Sequence, residues 1–387
     1  MLSPRGPGGS LKLGALQLGA VQHGVRVYGG LVAAAVRELP NVDVVEVAVA
    51  RPSIAASRDA GRALTRAGVD VAYVQLNPQP AVGVWGRHLA QLAHLEAFLS
   101  AWRGPLVATV HDLAPRLAPR ARLAAVREAH GPRGLARVAW FAGGLDALLV
   151  ARLARRAGRL LVCTDEEAQR LRALVPRAAQ RVRVIPHLAS QRPLGPSSEA
   201  RERLGLAGHR VVTLLGFLHP RKGAELLIDA VPQLPADVVA LLAGRPSDPA
   251  YGDVLAARAR ALGVADRVRL TGYLDAAALD DVVAATDVAA CPFTAMSASG
   301  TVAVWLGAAC PIVGSPLPQL EALGRAFPGL VTPFAERSPS ALAAALTARL
   351  DVRATHPAPL LAARAAHHPE RLAAAHLALF REVSALG

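Results

Sequence analysis

Short apolar runs alternate with longer amphipathic segments along the chain. Runs such as LKLGALQL (11–18) and RVVTLLGF (210–217) have the length and apolar content of buried strands. The segments 25–39 and 86–102 instead place apolar residues at helical spacing. Alternating buried strands and helices are typical of a parallel sheet with helices on both faces. The pattern therefore predicts an α/β protein.

Strands of this kind are predicted in both halves of the chain. In the first half they are LKLGALQL, VDVVEVAVA, VDVAYVQL, PLVATVHD, RLLVCTD and RVRVIPH. In the second half they are RVVTLLGF, DVVALLAG, RVRLTGY, DVAACPF, CPIVGS and GLVTP. The intervening stretch ASQRPLGPSSEARERLG (189–205) is rich in Pro, Ser and Gly, as linkers are.

We therefore predict two doubly wound, Rossmann-like domains with a boundary near residue 195. The N-terminal domain is expected over 1–190, a linker over 191–207 and the C-terminal domain over 208–365. The length of 387 residues suits two domains that each bury a core of their own.

Composition excludes some classes of protein. Hydrophobic residues make up 52% of the chain, but no unbroken apolar run reaches about 18 residues, the length that spans a membrane. Residues 1–10 resemble a frayed terminus more than a signal peptide. Cys163, Cys291 and Cys310 show no C-x-x-C spacing and lie in apolar surroundings, which favours buried thiols over disulfides or zinc ligands. We expect a cytoplasmic protein.

The formal net charge of +14 favours an anionic partner without identifying it. Aromatic residues make up only 4% of the chain, too few for the stacking platforms of nucleic-acid binding, so we expect no nucleic acid. The richest basic segments are 115–134 and RLARRAGR (152–159). Two interpretations stay open: a solvated surface, or a patch in peripheral contact with anionic lipid.

Ligands of open α/β sheets bind at the carboxyl ends of the strands, so the residues that follow each strand are candidates. His23 and Gly24 follow the first strand, where a glycine either lets a ligand approach the backbone or forms a simple turn. His111 follows the fourth strand. It could act as an acid, a base or a hydrogen-bond donor, or be an ordinary solvated histidine.

The stretch GFLHPRKGAELLIDAV (216–231) is a third candidate. Its strand ends in Gly216, and Arg221 and Lys222 precede a helix predicted to begin near Gly223. Lys222 is one of two lysines in the chain, and positive charge at a helix N-terminus is unfavourable unless an anion binds there. This position favours a functional role.

The stretch MSASGTVAVWLGAACPIVGSP (296–316) is the fourth. Small residues occupy 297–301 at the start of a predicted helix, where uncovered amides can hold an anion, although Ser and Thr are also ordinary helix-capping residues. With the preceding candidate it suggests a single diphosphate site. Thr164 and Glu167 begin another helix with capping-box spacing, which we interpret as structural.

Several of these stretches together resemble the retaining family 4 glycosyltransferases of the GT-B fold. The likeness covers most of residues 11–330. It rests on GFLHPRKGAELLIDAV, VADRVRLTGYLDAAALDDVVAATDVAACPF and SGTVAVWLGAACPIVGSP, with VHDLAP and VIPH in the first half. HHPERLAAAHLALFREV resembles the family's closing helix. The resemblance implies two domains facing a central cleft, with residues 366–387 crossing back to the first domain.

The resemblance assigns roles to individual residues. Lys222 falls on the family's diphosphate-binding lysine, and Gly24 on a glycine that faces the diphosphate. His111 falls on a histidine close to the transferred sugar. Phe217 stands where the family has an arginine, so Arg221 would have to replace it. His23 is assigned to the acceptor side, and Gly216 to the donor side.

The family's two glutamates, eight residues apart, fall on Met296 and Val304, so neither carboxylate is present. Our hypothesis is that backbone amides and hydroxyls at the start of the helix replace them as donor contacts. The residues concerned are Ser297, Ser299, Gly300 and Thr301.

The implied activity is transfer of a sugar from a nucleoside diphosphate sugar, with retention of configuration, to a small-molecule or lipid-linked acceptor. No D-x-D pattern occurs, and we expect neither a metal nor a cofactor. Two alternatives remain: a non-catalytic GT-B protein that binds a nucleotide or a partner enzyme, and a GT-B enzyme that couples a cyclitol instead of a sugar.

Overall fold

The predicted alternation forms two separate parallel sheets in the computed structural model, which describes residues 9–18, 24–77, 85–113, 147–296 and 298–386. The chain divides into two units. Unit 1 comprises 1–188 and 369–387, and unit 2 comprises 189–368.

Unit 1 is built on a six-stranded parallel sheet with strand order β2-β1-β3-β4-β5-β6. β1 runs alongside β2 in full register, from Leu11 opposite Val42 to Leu18 opposite Val49. Its elements are β1 Leu11–Leu18, α1 Gly24–Arg37, β2 Val42–Val49, α2 Ile54–Arg66, β3 Val71–Leu76, α3 Trp85–Ala101, β4 Leu106–Val110, α4 147–156, β5 Arg159–Val162, α5 Asp165–Leu174 and β6 Val182–Val184.

Unit 2 has a second six-stranded parallel sheet, with strand order β12-β11-β10-β7-β8-β9. Its elements are α6 Ser198–Arg203, β7 Arg210–Leu215, α7 Ala224–Ala230, β8 Val238–Ala243, α8 Pro249–Ala261, β9 Val268–Leu270, α9 Ala276–Ala285, β10 Val288–Cys291, α10 Gly300–Gly307, β11 Ile312–Gly314, α11 Pro318–Ala326, β12 Val331–Pro333, α12 Pro339–Thr347 and α13 Ala358–Ala366.

The last helix, α14 Pro369–Ser384, belongs to unit 1. It packs against α1, β3 and β4. Tyr73 of β3 contacts His376 and Phe380 of α14, with ring centroids 6.2 Å and 5.1 Å away. Complete burial lowers the pKa of His376 to about 4, so this histidine is neutral and belongs to the packing.

The core of unit 2 explains why the sequences of its strands are continuously apolar. Successive strand side chains point to opposite faces, so Val239 and Leu241 of β8 join one core cluster while Ala240 and Leu242 join another. Helices therefore cover both faces of the sheet, as the apolar pattern predicts.

The predicted linker is incorporated into unit 2. Within it, Ser197 is the N-cap of α6, and its hydroxyl accepts a hydrogen bond from the Ala200 N–H. The Arg201 guanidinium forms a 2.6 Å ion pair with Asp287, which also accepts from the Val211 N–H at the start of β7. These contacts join α6 to the sheet.

The three cysteines are buried free thiols. Among the described helices, none has the length and apolar content needed to cross a membrane. The basic segment 115–134 lies outside the described residues.

Candidate functional site

The carboxyl end of β7 requires glycine. Gly216 has a φ of +111°, and a Cβ there would lie 2.9 Å from Thr301 Oγ1 and 3.5 Å from Lys222 Nζ. Gly244, which follows β8 with a φ of +141°, would place a Cβ 2.2 Å from the Gly216 carbonyl oxygen. The missing side chains leave room for Lys222 and Thr301 to meet at this edge of the sheet.

The chain after Gly216 forms a short 3₁₀ turn, Pro220–Lys222. His219 caps the turn, because its Nδ1 accepts from the Arg221 N–H at 3.2 Å. Gly223 ends it with a φ of +72°. The Thr294 N–H, in the loop after β10, donates to the Arg221 carbonyl at 2.9 Å. The turn backbone is thus held from both sides, while the Arg221 side chain is exposed.

Lys222 is the charged group at the centre of this edge. Its Nζ donates to Thr301 Oγ1 at 3.1 Å and lies 4.1 Å from the centroid of the Phe293 ring. Burial, together with a smaller contribution from the nearby Arg221 charge, lowers the pKa of Lys222 to about 8. Thr301 Oγ1 in turn donates to the Leu215 carbonyl at 3.3 Å. A partly desolvated ammonium group therefore lies beside the first turn of α10.

The start of α10 combines a capped amide with open space. Ser299 is the N-cap, and its hydroxyl accepts from the Val302 N–H at 3.4 Å. The first-turn amides of Gly300 and Thr301 have no acceptor within the helix, as in any α-helix. Gly300 is exposed, and a Cβ there would meet nothing within 4 Å. An anion can therefore approach these amides closely.

The hydroxyls of Ser299 and Thr301 already have partners within unit 2. The hypothesis that they contact a donor directly stays a prediction. Met296 and Val304, the positions of the family's two glutamates, are partly buried and pack against the apolar core.

His111 lies at the carboxyl end of β4 in unit 1. It is 7% exposed, and its Nε2 is 2.7 Å from the Gln75 amide oxygen at the end of β3. The Tyr28 ring packs edge-on against it with centroids 5.1 Å apart. The imidazole is therefore fixed in orientation, unlike a solvated histidine.

The residue after His111 has an unusual backbone. Asp112 adopts a φ of +53°, in the left-handed region that a non-glycine residue occupies only at a cost. The Asn77 side-chain N–H donates to its carboxylate at 2.7 Å. His111, Gln75, Asn77 and Asp112 thus place polar groups at neighbouring strand ends of unit 1.

Thr164 caps the start of α5 as its spacing from Glu167 predicts, with the Glu167 carboxylate bound to the Thr164 hydroxyl instead of the Thr164 N–H. The Glu167 N–H donates to Thr164 Oγ1 at 3.1 Å, and the Glu167 carboxylate accepts from the Thr164 hydroxyl at 3.2 Å. The Cys163 N–H also donates to that carboxylate. Burial raises the pKa of Glu167.

The predicted residues fall into three groups. Gly216, Lys222 and Thr301 meet at one edge of unit 2, with Arg221, Ser299 and Gly300 beside them. His111 and Gly24, the first residue of α1, belong to unit 1. His23 and Ser297 lie outside the described residues.

Phe293, Gln75 and Asn77 were not predicted as part of either cluster. Phe293 lies two residues after the end of β10 in the run ACPF, and Gln75 and Asn77 flank Leu76, the last residue of β3. Examining every strand end for polar or aromatic residues would have found all three. Their partners could not be read from the sequence, because each contact joins separate strands.

Two parallel six-stranded sheets with flanking helices define the GT-B fold, and solved structures share it. HepE from Anabaena, solved with UDP and glucose, is 18% identical with a TM-score of 0.68, over 96% of this chain and 100% of that one. Sucrose-phosphate synthase from Thermosynechococcus elongatus is 17% identical with a TM-score of 0.72, over 97% and 100%. These similarities establish the predicted fold class.

Sequence comparison gives a more particular similarity. Residues 209–351, within unit 2, match the family model described as glycosyl transferases group 1. D-inositol 3-phosphate glycosyltransferase from Actinosynnema mirum is 32% identical over 204 residues, which is 49% of this chain and 45% of that protein. The same enzyme from Mycolicibacterium gilvum is 33% identical over 197 residues, 49% and 41%. The chain thus matches less than half the length of these relatives.

Proposed function

We propose that the protein is a retaining glycosyltransferase of family 4 that takes its sugar from a nucleoside diphosphate sugar. The observation that carries the proposal is the partly desolvated Lys222 ammonium beside the open first turn of α10. A partly buried cation to which the described residues give no carboxylate partner suits a site whose ligand is an anion. HepE, a neighbour in fold, was solved with UDP-glucose as well as with UDP.

In this proposal, unit 2 stabilises the leaving diphosphate. Negative charge builds up on the diphosphate oxygen as its bond to the sugar breaks. The exposed Arg221 guanidinium adds positive charge nearby, and the Lys222 ammonium and the first-turn amides of α10 are fixed donors for the developing charge. Because they are positioned before the reaction, little reorganisation is needed at the transition state.

His111 is proposed as the group of unit 1 that acts on the transferred sugar. Its contacts with Gln75 and Tyr28 fix the ring, which suits a hydrogen bond to a sugar hydroxyl. Retention of configuration and independence from metal ions follow from the family resemblance. Independence from metal ions is checked by comparing the rate of sugar transfer with and without EDTA.

The acceptor is proposed to be a small polyhydroxylated compound. Gln75, Asn77 and Asp112 bring amide and carboxylate groups to the strand ends beside His111, and such groups bind hydroxyls. The names of the curated relatives make D-inositol 3-phosphate the first acceptor to test.

One observation favours a non-catalytic nucleotide-binding protein instead. The positions of both family glutamates are apolar and pack against the core, so no carboxylate is available there for a sugar or a ribose. A glycosyltransferase forms a glycosylated product, whereas a non-catalytic protein binds the nucleotide and forms none.

The test is a transfer assay with UDP-, GDP- and ADP-sugars and D-inositol 3-phosphate, with NMR of the product anomer. We expect one donor to give a product that keeps the donor's anomeric configuration. Binding of a nucleoside diphosphate without hydrolysis or transfer from any donor would favour the non-catalytic alternative.

A further inference from the structure

Thr301 contacts Lys222 from a distant part of the chain. The two residues are 79 positions apart, and their side chains meet where the end of β7 faces the start of α10. The Thr301 hydroxyl donates its proton to the Leu215 carbonyl, so its lone pairs are left to accept from the lysine. The direction of both hydrogen bonds is therefore set by the backbone of β7.

Among the other described neighbours of Lys222, none offers its charge a carboxylate. The face of the Phe293 ring attracts the ammonium group through a cation–π contact, whereas Cys291 is a buried thiol and Arg221 carries a like charge. Burial raises the pKa of Cys291 to about 12, so this thiol is uncharged near neutral pH. Thr301 is the oxygen acceptor that the described hydrogen bonds give to the ammonium group.

Glycine at position 216 keeps this contact possible. A Cβ there would come within 2.9 Å of Thr301 Oγ1, and within 3.5 Å of Lys222 Nζ. The positive φ of Gly216 and its lack of a side chain thus both leave room for the contact between Lys222 Nζ and Thr301 Oγ1.

We propose that Thr301 is a positioning residue, whose hydroxyl holds the Lys222 ammonium in place to receive the diphosphate of the donor. This inference rests on the proposed function. It assigns the Thr301 hydroxyl to Lys222 and leaves only the Thr301 backbone amide to contact the donor.

A consequence is that donor binding depends on pH. The diphosphate requires the ammonium form, and the pKa of Lys222 is lowered to about 8 by burial. Nucleotide affinity should therefore fall as pH rises through about 8, and binding near that pH should take up a proton. Loss of the Thr301 acceptor should shift the fall to lower pH, because the charged amine loses a stabilising hydrogen bond.

The variant pair Thr301→Val and Thr301→Ser tests this inference. Valine keeps the branched shape without the hydroxyl, and serine keeps the hydroxyl. At pH 7.5 we expect Thr301→Val to weaken binding of the nucleoside diphosphate by roughly 5- to 10-fold, the scale of one charge-assisted hydrogen bond. Thr301→Ser should restore affinity to within about 2-fold. Thr347→Val, at an exposed position in α12, is the matched control.

A second measurement needs no nucleotide. The chain has two lysines, so competitive acetylation followed by mass spectrometry over pH 6–11 reports on Lys222 with Lys12 as internal reference. The Lys222 titration should move to lower pH in Thr301→Val and return in Thr301→Ser.

The two measurements separate the possible failures. If the wild-type protein binds nucleoside diphosphates but Thr301→Val changes neither affinity nor the Lys222 titration, the positioning role is overturned and the proposed function stands. If the wild-type protein binds none of UDP, GDP, ADP and CDP, the proposed function fails first, and the positioning role fails with it.

Discussion

At the scale of single residues, Lys222 combines an unfavourable environment with a favourable position for function. Burial lowers its pKa from 10.5 to about 8, so the folded protein bears a cost for keeping this charge at neutral pH. A charged residue that destabilises the folded protein but that a ligand can reach is a candidate for a role in ligand binding.

The first prediction is that Lys222→Met abolishes diphosphate binding without destabilising the fold.

Between about pH 8 and 10.5 the unfolded chain binds more protons than the folded one, so the free energy of unfolding of the wild-type protein should rise with pH across this window. Below about pH 8 the charged Lys222 lowers the free energy of unfolding by its full amount, which the size of the pKa shift limits to about 3 kcal/mol. Calorimetry with UDP and GDP and thermal melts at pH 7 and 10 measure both effects. A variant that melts lower at pH 7 and still binds would contradict this account.

The second prediction concerns His111. His111→Ala should lower the rate of sugar transfer at least about 10-fold with little change in nucleotide affinity, because its proposed role is in the reaction, whereas the proposed diphosphate contacts of Lys222 and α10 lie in unit 2. Steady-state kinetics beside calorimetry separates the two. An equal loss of both would assign His111 a structural role.

At the scale of elements, the periodicity of apolar residues predicted all twelve described strands, because parallel strands buried on both faces differ clearly from amphipathic helices. Strand ends were less well predicted. RVRVIPH yields only Val182–Val184, since a proline cannot continue the hydrogen-bonded ladder. The predicted linker contains α6, and its contact with Asp287 could not be predicted from the local amino-acid composition.

The candidate site was predictable only in part. Lys222 stood out as an isolated lysine at a helix start, which is local information. Its contacts with Thr301 and Phe293 depend on how β7, β10 and α10 pack, and no local pattern specifies that. The polar cluster around His111 likewise needs the order of β3 and β4 in the sheet.

The third prediction concerns the start of α10. Gly300→Val should abolish binding of the nucleoside diphosphate while the protein stays folded, because a Cβ at this position would meet nothing within 4 Å, while the valine methyl groups would cover the first-turn amides. Ser299→Ala removes the helix cap and should cost about 1 kcal/mol of stability with little effect on binding. Calorimetry and chemical denaturation of both variants measure this contrast. Normal binding by Gly300→Val would mean that the small residues serve only to begin the helix.

At the scale of the whole molecule, the GT-B fold itself does not determine the chemistry, because one fold supports many activities. Sugar transfer is proposed from the contacts of Lys222 at the edge of unit 2 and from the similarity of residues 209–351 to group 1 glycosyl transferases. The apolar Met296 and Val304 make this chain depart from the resemblance at the sugar and ribose contacts.

The most direct test of the central claim is a thermal-shift screen of nucleotide sugars, run in parallel on the wild-type protein and on Lys222→Met. A ligand that binds only the folded state raises the melting temperature, by RT ln(1 + [L]/Kd) in free energy. We predict that at least one UDP-, GDP- or ADP-sugar raises the melting temperature of the wild-type protein and that none does so for Lys222→Met. The claim is contradicted if no nucleotide sugar shifts the wild-type protein, or if the shift persists unchanged without the lysine.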